Sequence, residues 1–208
     1  MYLPEHFTER RSEVLHDVVR RYGFATLISV AQGVPEATHL PLLLDANAGG
    51  LGTLWGHVAR PNTQWQGFDS LAQALAIFSG PHAYVSPRWY TTGPAVPTWN
   101  YVAVHAYGIP QIVDDASELR AGLDRLVEQY EGDGDGVYRA DWTADGFTAN
   151  LSRGVVAFRM PIERLEGKFK LSQNRSLADQ AAVATVLRAS TEQSERDLGL
   201  LMASRGHQ

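Results

Sequence analysis

Between residues 24 and 107 the chain is cut into short apolar and β-branched runs, each closed by a turn-forming cluster. This rhythm restricts the fold more than any other feature of the sequence. The run at 24–30 (FATLISV) ends at Ala31-Gln32-Gly33, and a second run at 36–44 (EATHLPLLL) follows, which reads as a β-hairpin. Asn47-Ala48-Gly49-Gly50 breaks the chain before a third run at 51–58, and Arg60-Pro61-Asn62 ends that one. Residues 62–71 can form a short helix, 74–79 a fourth strand, and the stretch after it a fifth and a long sixth. Strands this short and frequent, in meander order, predict an antiparallel barrel.

Helical spacing flanks the strands. Val14, Leu15, Val18, Val19 and Tyr22 recur at i, i+3/i+4, so a helix is predicted within residues 7–22 with Gly23 as its stop. Leu119, Leu123, Leu126, Val127 and Tyr130 restore that spacing over 114–130, and 154–160 reads as a further strand. From Ser176 onward the chain is rich in Ala, Leu, Arg and Glu and predicts one long or two shorter helices, with Ser176-x-x-Asp179 as the cap. The expected class is therefore mainly β with α, in one domain over 1–208 whose residues 176–208 form a helical extension.

Composition closes several functional classes. No run of 18 apolar residues exists to span a bilayer, and Tyr2-Leu3-Pro4-Glu5-His6 after Met1 has neither the basic nor the apolar part of a secretory signal, so a cytoplasmic protein without a membrane partner is expected. With no cysteine, disulfides and thiolate chemistry are excluded, and redox work needs a bound cofactor. The net charge of −5 opposes a grip on nucleic acid by the whole surface. It is unevenly placed, however: 153–175 holds six basic and two acidic residues, including the only two lysines, Lys168 and Lys170. Direct DNA contact would therefore run through Arg153, Arg159, Lys168, Lys170 and Arg175.

Two stretches look like binding surfaces. In 77–107, extended chain sends Trp99, Tyr101, Ala103, His105 and Tyr107 to one face and Thr98, Asn100, Val102 and Val104 to the other. Such an aromatic face with polar tips suits a flat heteroaromatic ligand and a large interface about equally. In 56–65 (GHVARPNTQW), His57, Arg60 and Asn62 stand where a strand runs into a turn, a place for a phosphate. The alternative is that Arg60 pairs with an acidic neighbour and Asn62 caps the next helix. His39, His57, His82 and His105 lack HxH or HExxH spacing and are expected to be hydrogen-bonded structural residues. Asp133 and Asp135 begin like a calcium loop without completing one. G-x-S-x-G, G-x-G-x-x-G and the P-loop are absent, and no catalytic residue or metal ligand is assigned.

Six ordered motifs are similar to one family: MYLPEHF at 1–7, His39-Leu40-Pro41, GHVARPN at 56–62, FSGPHAYVSP at 78–87, VPTWNY at 96–101 and KLSQNR at 170–175. They resemble the PaiB-like family of FMN-binding negative transcriptional regulators, over nearly the whole chain. The resemblance implies an FMN-binding antiparallel split β-barrel with N-terminal, central and C-terminal helices, related in fold to pyridoxamine 5′-phosphate oxidase and flavin reductases. It further implies a homodimer with the flavin at the subunit interface. On the same basis His57, Arg60 and Asn62 are phosphate-side candidates, with Thr38 and His39 on the neighbouring strand, while Trp99, Asn100, Lys168 and Gln173 are candidates that cross the dimer interface. Where the oxidases place adjacent Arg and Lys on the phosphate, this chain offers Arg60 without a nearby lysine. The expected function is an FMN-binding regulator; the alternative is a flavin-dependent oxidoreductase acting on a small molecule.

Overall fold

The computed structural model describes residues 1–69, 72–132, 138–142 and 147–205. Among them the chain forms, in order, β1 (Thr8–Glu9), α1 (Ser12–Arg21), β2 (Phe24–Ala31), β3 (Val34–Pro41), β4 (Leu43–Asp45), β5 (Thr53–Ala59), β6 (Ala74–Val85), β7 (Thr98–Gly108), β8 (Gln111–Ile112), α2 (Ala116–Glu131), α3 (Phe147–Ser152), β9 (Val155–Pro161), β10 (Arg164–Lys170), α4 (Leu177–Arg188) and α5 (Gln193–Arg205). The strands make two sheets, ordered β1-β10-β7-β6-β2-β3 and β4-β5-β9-β8.

The predicted hairpin is β2–β3, in register from Phe24↔Pro41 to Ala31↔Val34. Its turn has Gln32 at φ 52° and Gly33 at φ 81°. Two consecutive positive φ values follow the twist of the strands they join, which is why a glycine is needed at this corner.

Meander order fails after the hairpin. The second predicted run divides at Leu42: β3 ends at Pro41, which has no amide hydrogen to continue a ladder, and β4 pairs with β5 in the other sheet. The predicted fourth and fifth strands are instead one, β6. Its burial alternation slips by one place at Gly80-Pro81, where both residues are buried, as a bulge allows. A Cβ on Gly80 would lie 2.9 Å from Cβ of Val102, so the glycine permits a close approach of β6 to β7.

Contacts divide the chain into two compact units. One consists of Met1–Val18, Phe78–His105 and Glu166–Gln208, the other of Val19–Ile77 and Ala106–Leu165. In the second, Leu43, Trp55 and Ala157 form a buried cluster covered by Leu119, Leu123 and Leu126 of α2. In the first, the alternation predicted for β7 holds: Asn100, Val102 and Val104 are buried, and Trp99 is exposed. Two helices, not one, follow Ser176, whose Oγ accepts the Asp179 amide at 3.2 Å as the capping pattern requires.

Candidate functional site

β5 runs out at Ala59 into the turn that holds Arg60, Pro61 and Asn62. The Asn62 amide donates to the Ala59 carbonyl at 2.8 Å. Its side-chain oxygen accepts the Gln64 amide at 3.0 Å and so caps the 3-10 turn Thr63–Gly67. Capping uses only half of the amide, because Nδ2 donates to Oγ1 of Thr38 on β3 at 2.8 Å. The Thr38 hydroxyl thus accepts from Asn62, and its own proton, like the second Nδ2 hydrogen, has no acceptor among the described residues.

Gln64 pins this turn to the hairpin. It is 2% exposed, and Nε2 reaches Ser29 Oγ at 3.0 Å and the carbonyls of Leu27 and Glu36 at 3.2 Å. Its Oε1 is buried without a donor. The sequence reading passed over Gln64, although it stands in the same polar motif as Asn62.

Arg60 pairs with no acid among the described residues. Nε donates to the Arg153 carbonyl at 2.9 Å and Nη2 to the Val155 carbonyl at 3.0 Å, which fastens the guanidinium to the start of β9. The residue remains exposed and keeps its charge and its Nη1 hydrogens. His39 takes the opposite face of β3 from Thr38: it is exposed, its Nδ1 lies 3.0 Å from Thr26 Oγ1, and its ring is stacked on Phe24 with centroids 6.4 Å apart. His57 is half-buried with its ring 6.0 Å from that of Trp55, and its Nδ1 has no partner. Burial pushes its pKa down, so the ring is neutral at neutral pH and poorly suited to a phosphate. Of the five phosphate-side candidates, then, Thr38 and Asn62 meet, Arg60 shares their turn, and both histidines point elsewhere.

The other four candidates fall in the other unit. Trp99 is 54% exposed beside His82 and Tyr84, at centroid distances of 6.4 and 6.2 Å. Asn100 lies on the covered face, 1% exposed, and donates to Ser172 Oγ at 2.9 Å. Gln173 spends its amide on the local backbone: Oε1 accepts from Leu171 at 2.7 Å and Nε2 donates to the Phe169 carbonyl at 2.5 Å, around Ser172 with φ 65°. Lys168 is 8% exposed, its Nζ donates to the Tyr2 carbonyl at 2.9 Å, and it sits 5.5 Å from the Tyr101 ring centroid.

Lys170 donates to Thr98 Oγ1 and the Trp99 carbonyl, and burial, followed by the Lys168 charge, lowers its pKa. Arg175 stacks over Tyr90 at 4.7 Å. Lys168 is therefore committed inside the protein, while the half-buried Lys170 already spends its ammonium group on the Thr98 and Trp99 oxygens. Asp179, read from the sequence only as part of a cap, also takes four hydrogen bonds from the backbone and hydroxyls of Thr91 and Thr92. Chief among the causes, the Thr92 hydroxyl holds its carboxyl well below the usual range.

No three His, Cys, Asp or Glu side chains among the described residues are grouped as a metal site. Asp133 and Asp135 lie outside those residues. No helix is long and apolar enough to cross a membrane among them. The Thr38 hydroxyl and the Asn62 amide, which meet, are donors of the kind an oxyanion accepts, and Arg60 on the same turn carries a guanidinium with Nη1 hydrogens to spare.

Residues 1–164 match the family described as "Putative FMN-binding domain". The Bacillus subtilis (strain 168) protein named "Protease synthase and sporulation protein PAI 2" is 34% identical over 202 residues, covering 97% of this chain and 96% of the relative. An uncharacterized protein of Emericella nidulans is 30% identical over 222 residues, covering 88% of each. Among solved structures, the flavocytochrome Anf3 from Azotobacter vinelandii superposes with TM-score 0.62 at 11% identity, over 81% of this chain and 72% of that one. The FAD and heme binding protein from Mycobacterium smegmatis does so with TM-score 0.61 at 16% identity, over 78% and 73%. At such identities the likeness shows the fold, an α+β split barrel built of antiparallel sheets.

Proposed function

The chain belongs to the PaiB-like family of FMN-binding domains, and from that membership we propose that it is a homodimeric flavin-binding regulator whose FMN phosphate is held at the 59–62 turn. The observation that carries this reading is the Asn62 side chain, which caps one element with its oxygen while its nitrogen meets Thr38. A dianion there takes the Thr38 hydroxyl proton, the second Asn62 hydrogen and the Arg60 guanidinium. Hydrogen bonds to a charged group are about twice as strong as neutral ones, so three of them offset the missing lysine. FMN, when bound, supplies the redox-active ring; the protein's own groups orient it and exclude water.

One further observation supports a dimer. Phe24 and Val30, 68% and 57% exposed, stand on the same face of β2, an apolar surface of the kind a partner covers.

The test is a flavin titration of wild type and Asn62→Asp. Aspartate still accepts the Gln64 amide but cannot donate, and it brings a negative charge, so affinity for FMN should fall at least about tenfold with the melting temperature nearly unchanged. Equal affinity in the two proteins would remove the assignment. NAD(P)H oxidation above that of free flavin would replace the regulatory role with an oxidoreductase.

A further inference from the structure

The unit that holds the 59–62 turn also carries a charged cleft that the flavin reading does not use. Glu118, Gly122 and Arg125 stand in one line on α2, at i, i+4 and i+7. Because Gly122 has no side chain, this line lies directly against the indole of Trp55: a Cβ there would be 2.0 Å from Cζ2. Next to that contact opens a cavity of about 400 Å³ whose wall includes Asp45, Trp55, Glu118, Arg125 and Arg159. It adjoins a second, of about 510 Å³, through the shared residues Gln111, Arg159 and Pro161; Asp69, Asp114 and Glu163 line that far end.

Two donors in the first cavity are not fully used. Arg159 gives Nε to Gln111 Oε1 at 3.2 Å, while its Nη1 is 4.0 Å from Glu118 Oε2, a distance that leaves a hydrogen bond unmade. Arg125 has no ion pair or hydrogen bond from its guanidinium to the described residues. Two guanidiniums around one opening match a carboxylate.

The charges select further. Asp45 and Glu118 balance Arg125 and Arg159, so the first cavity is neutral and a phosphate dianion there would face two carboxylates. The second holds three carboxylates against Arg159 alone and favours a cation. We propose that this cleft binds a free amino acid with a basic side chain, its carboxylate on Arg125 and Arg159 and its cationic end toward Asp69, Asp114 and Glu163.

Calorimetry and tryptophan fluorescence on the full chain test this, with L-lysine as the probe. Two controls accompany it: 1,5-diaminopentane, which lacks the carboxylate, and inorganic phosphate, which lacks the cation. Saturable binding of L-lysine is expected, with both controls at least about tenfold weaker. Arg125→Ala and Arg159→Ala, both at exposed positions, should each weaken L-lysine by a similar factor, with circular dichroism confirming that both variants fold. Absence of saturable L-lysine binding, binding untouched by Arg125→Ala, or phosphate binding as tightly as L-lysine would each overturn the proposal.

Discussion

Arg205, in the last turn of α5, donates Nη2 to Oε2 of Glu9 at 2.9 Å across 196 residues of sequence. The same carboxylate also accepts from the Arg11 guanidinium and from the amides of Arg10 and Arg11. Hydrogen bonding from the Arg11 side chain, against the cost of burial and aided by Arg205, lowers the Glu9 pKa from 4.5 to about 2. A carboxyl whose pKa is lower folded than unfolded stabilises the protein above the unfolded value, and that contribution is lost as pH falls toward the folded one. Glu9 therefore stabilises the fold at neutral pH, and that contribution is lost between about pH 4.5 and 2. Urea unfolding across that window should show the decline in wild type and a flatter curve for Glu9→Gln. Parallel curves would place the acid sensitivity elsewhere.

Gly122 stands in the middle of α2, where alanine would ordinarily gain about 1 kcal/mol of helix propensity. Here the Trp55 indole occupies the space a methyl group needs. Overpacking typically costs about 1–3 kcal/mol, so steric strain outweighs propensity and Gly122→Ala should lower the melting temperature. A higher melting temperature would mean that α2 shifts at no cost.

If the hairpin face is the dimer contact, a charge placed on it should separate the subunits without unfolding them. Val30 is 57% exposed in the single chain, so Val30→Asp should cost an isolated subunit no more than about 1 kcal/mol of strand propensity. Light scattering should give a dimer mass for wild type and a monomer mass for Val30→Asp. A dimer in both would place the interface on another surface.

Replacing Lys168 and Lys170 by alanine should leave the salt dependence of any promoter-DNA binding unchanged. Each lost phosphate contact would flatten the slope of log K against log salt by about 0.9, but both ammonium groups are already engaged by the Tyr2, Thr98 and Trp99 oxygens. The double variant should instead melt lower. Anisotropy titrations at several salt concentrations separate the outcomes, and a flatter slope would restore the lysines as DNA contacts.

The local periods of this fold were legible in the residues alone. The two-residue alternation of β7, the i, i+4, i+7 spacing of Leu119, Leu123 and Leu126, and the Ser176 cap all depend on neighbours within a few positions, so composition and order suffice to state them. Arg60 and Asn62 could be grouped because a turn holds its own residues together. Amide and imidazole type, by contrast, did not reveal which strand face would be covered. Asn100 turned into a core, His57 became half-buried and uncharged, and Gln173 closed its own loop.

Asn62 reaching Thr38, Gln64 under the hairpin, Asp179 holding Thr91 and Thr92, and Glu9 bound by Arg205 could be decided only by the folded chain. A hydrogen-bonding side chain announces what it can donate or accept, but its partner is settled by packing that brings distant segments within about 3 Å.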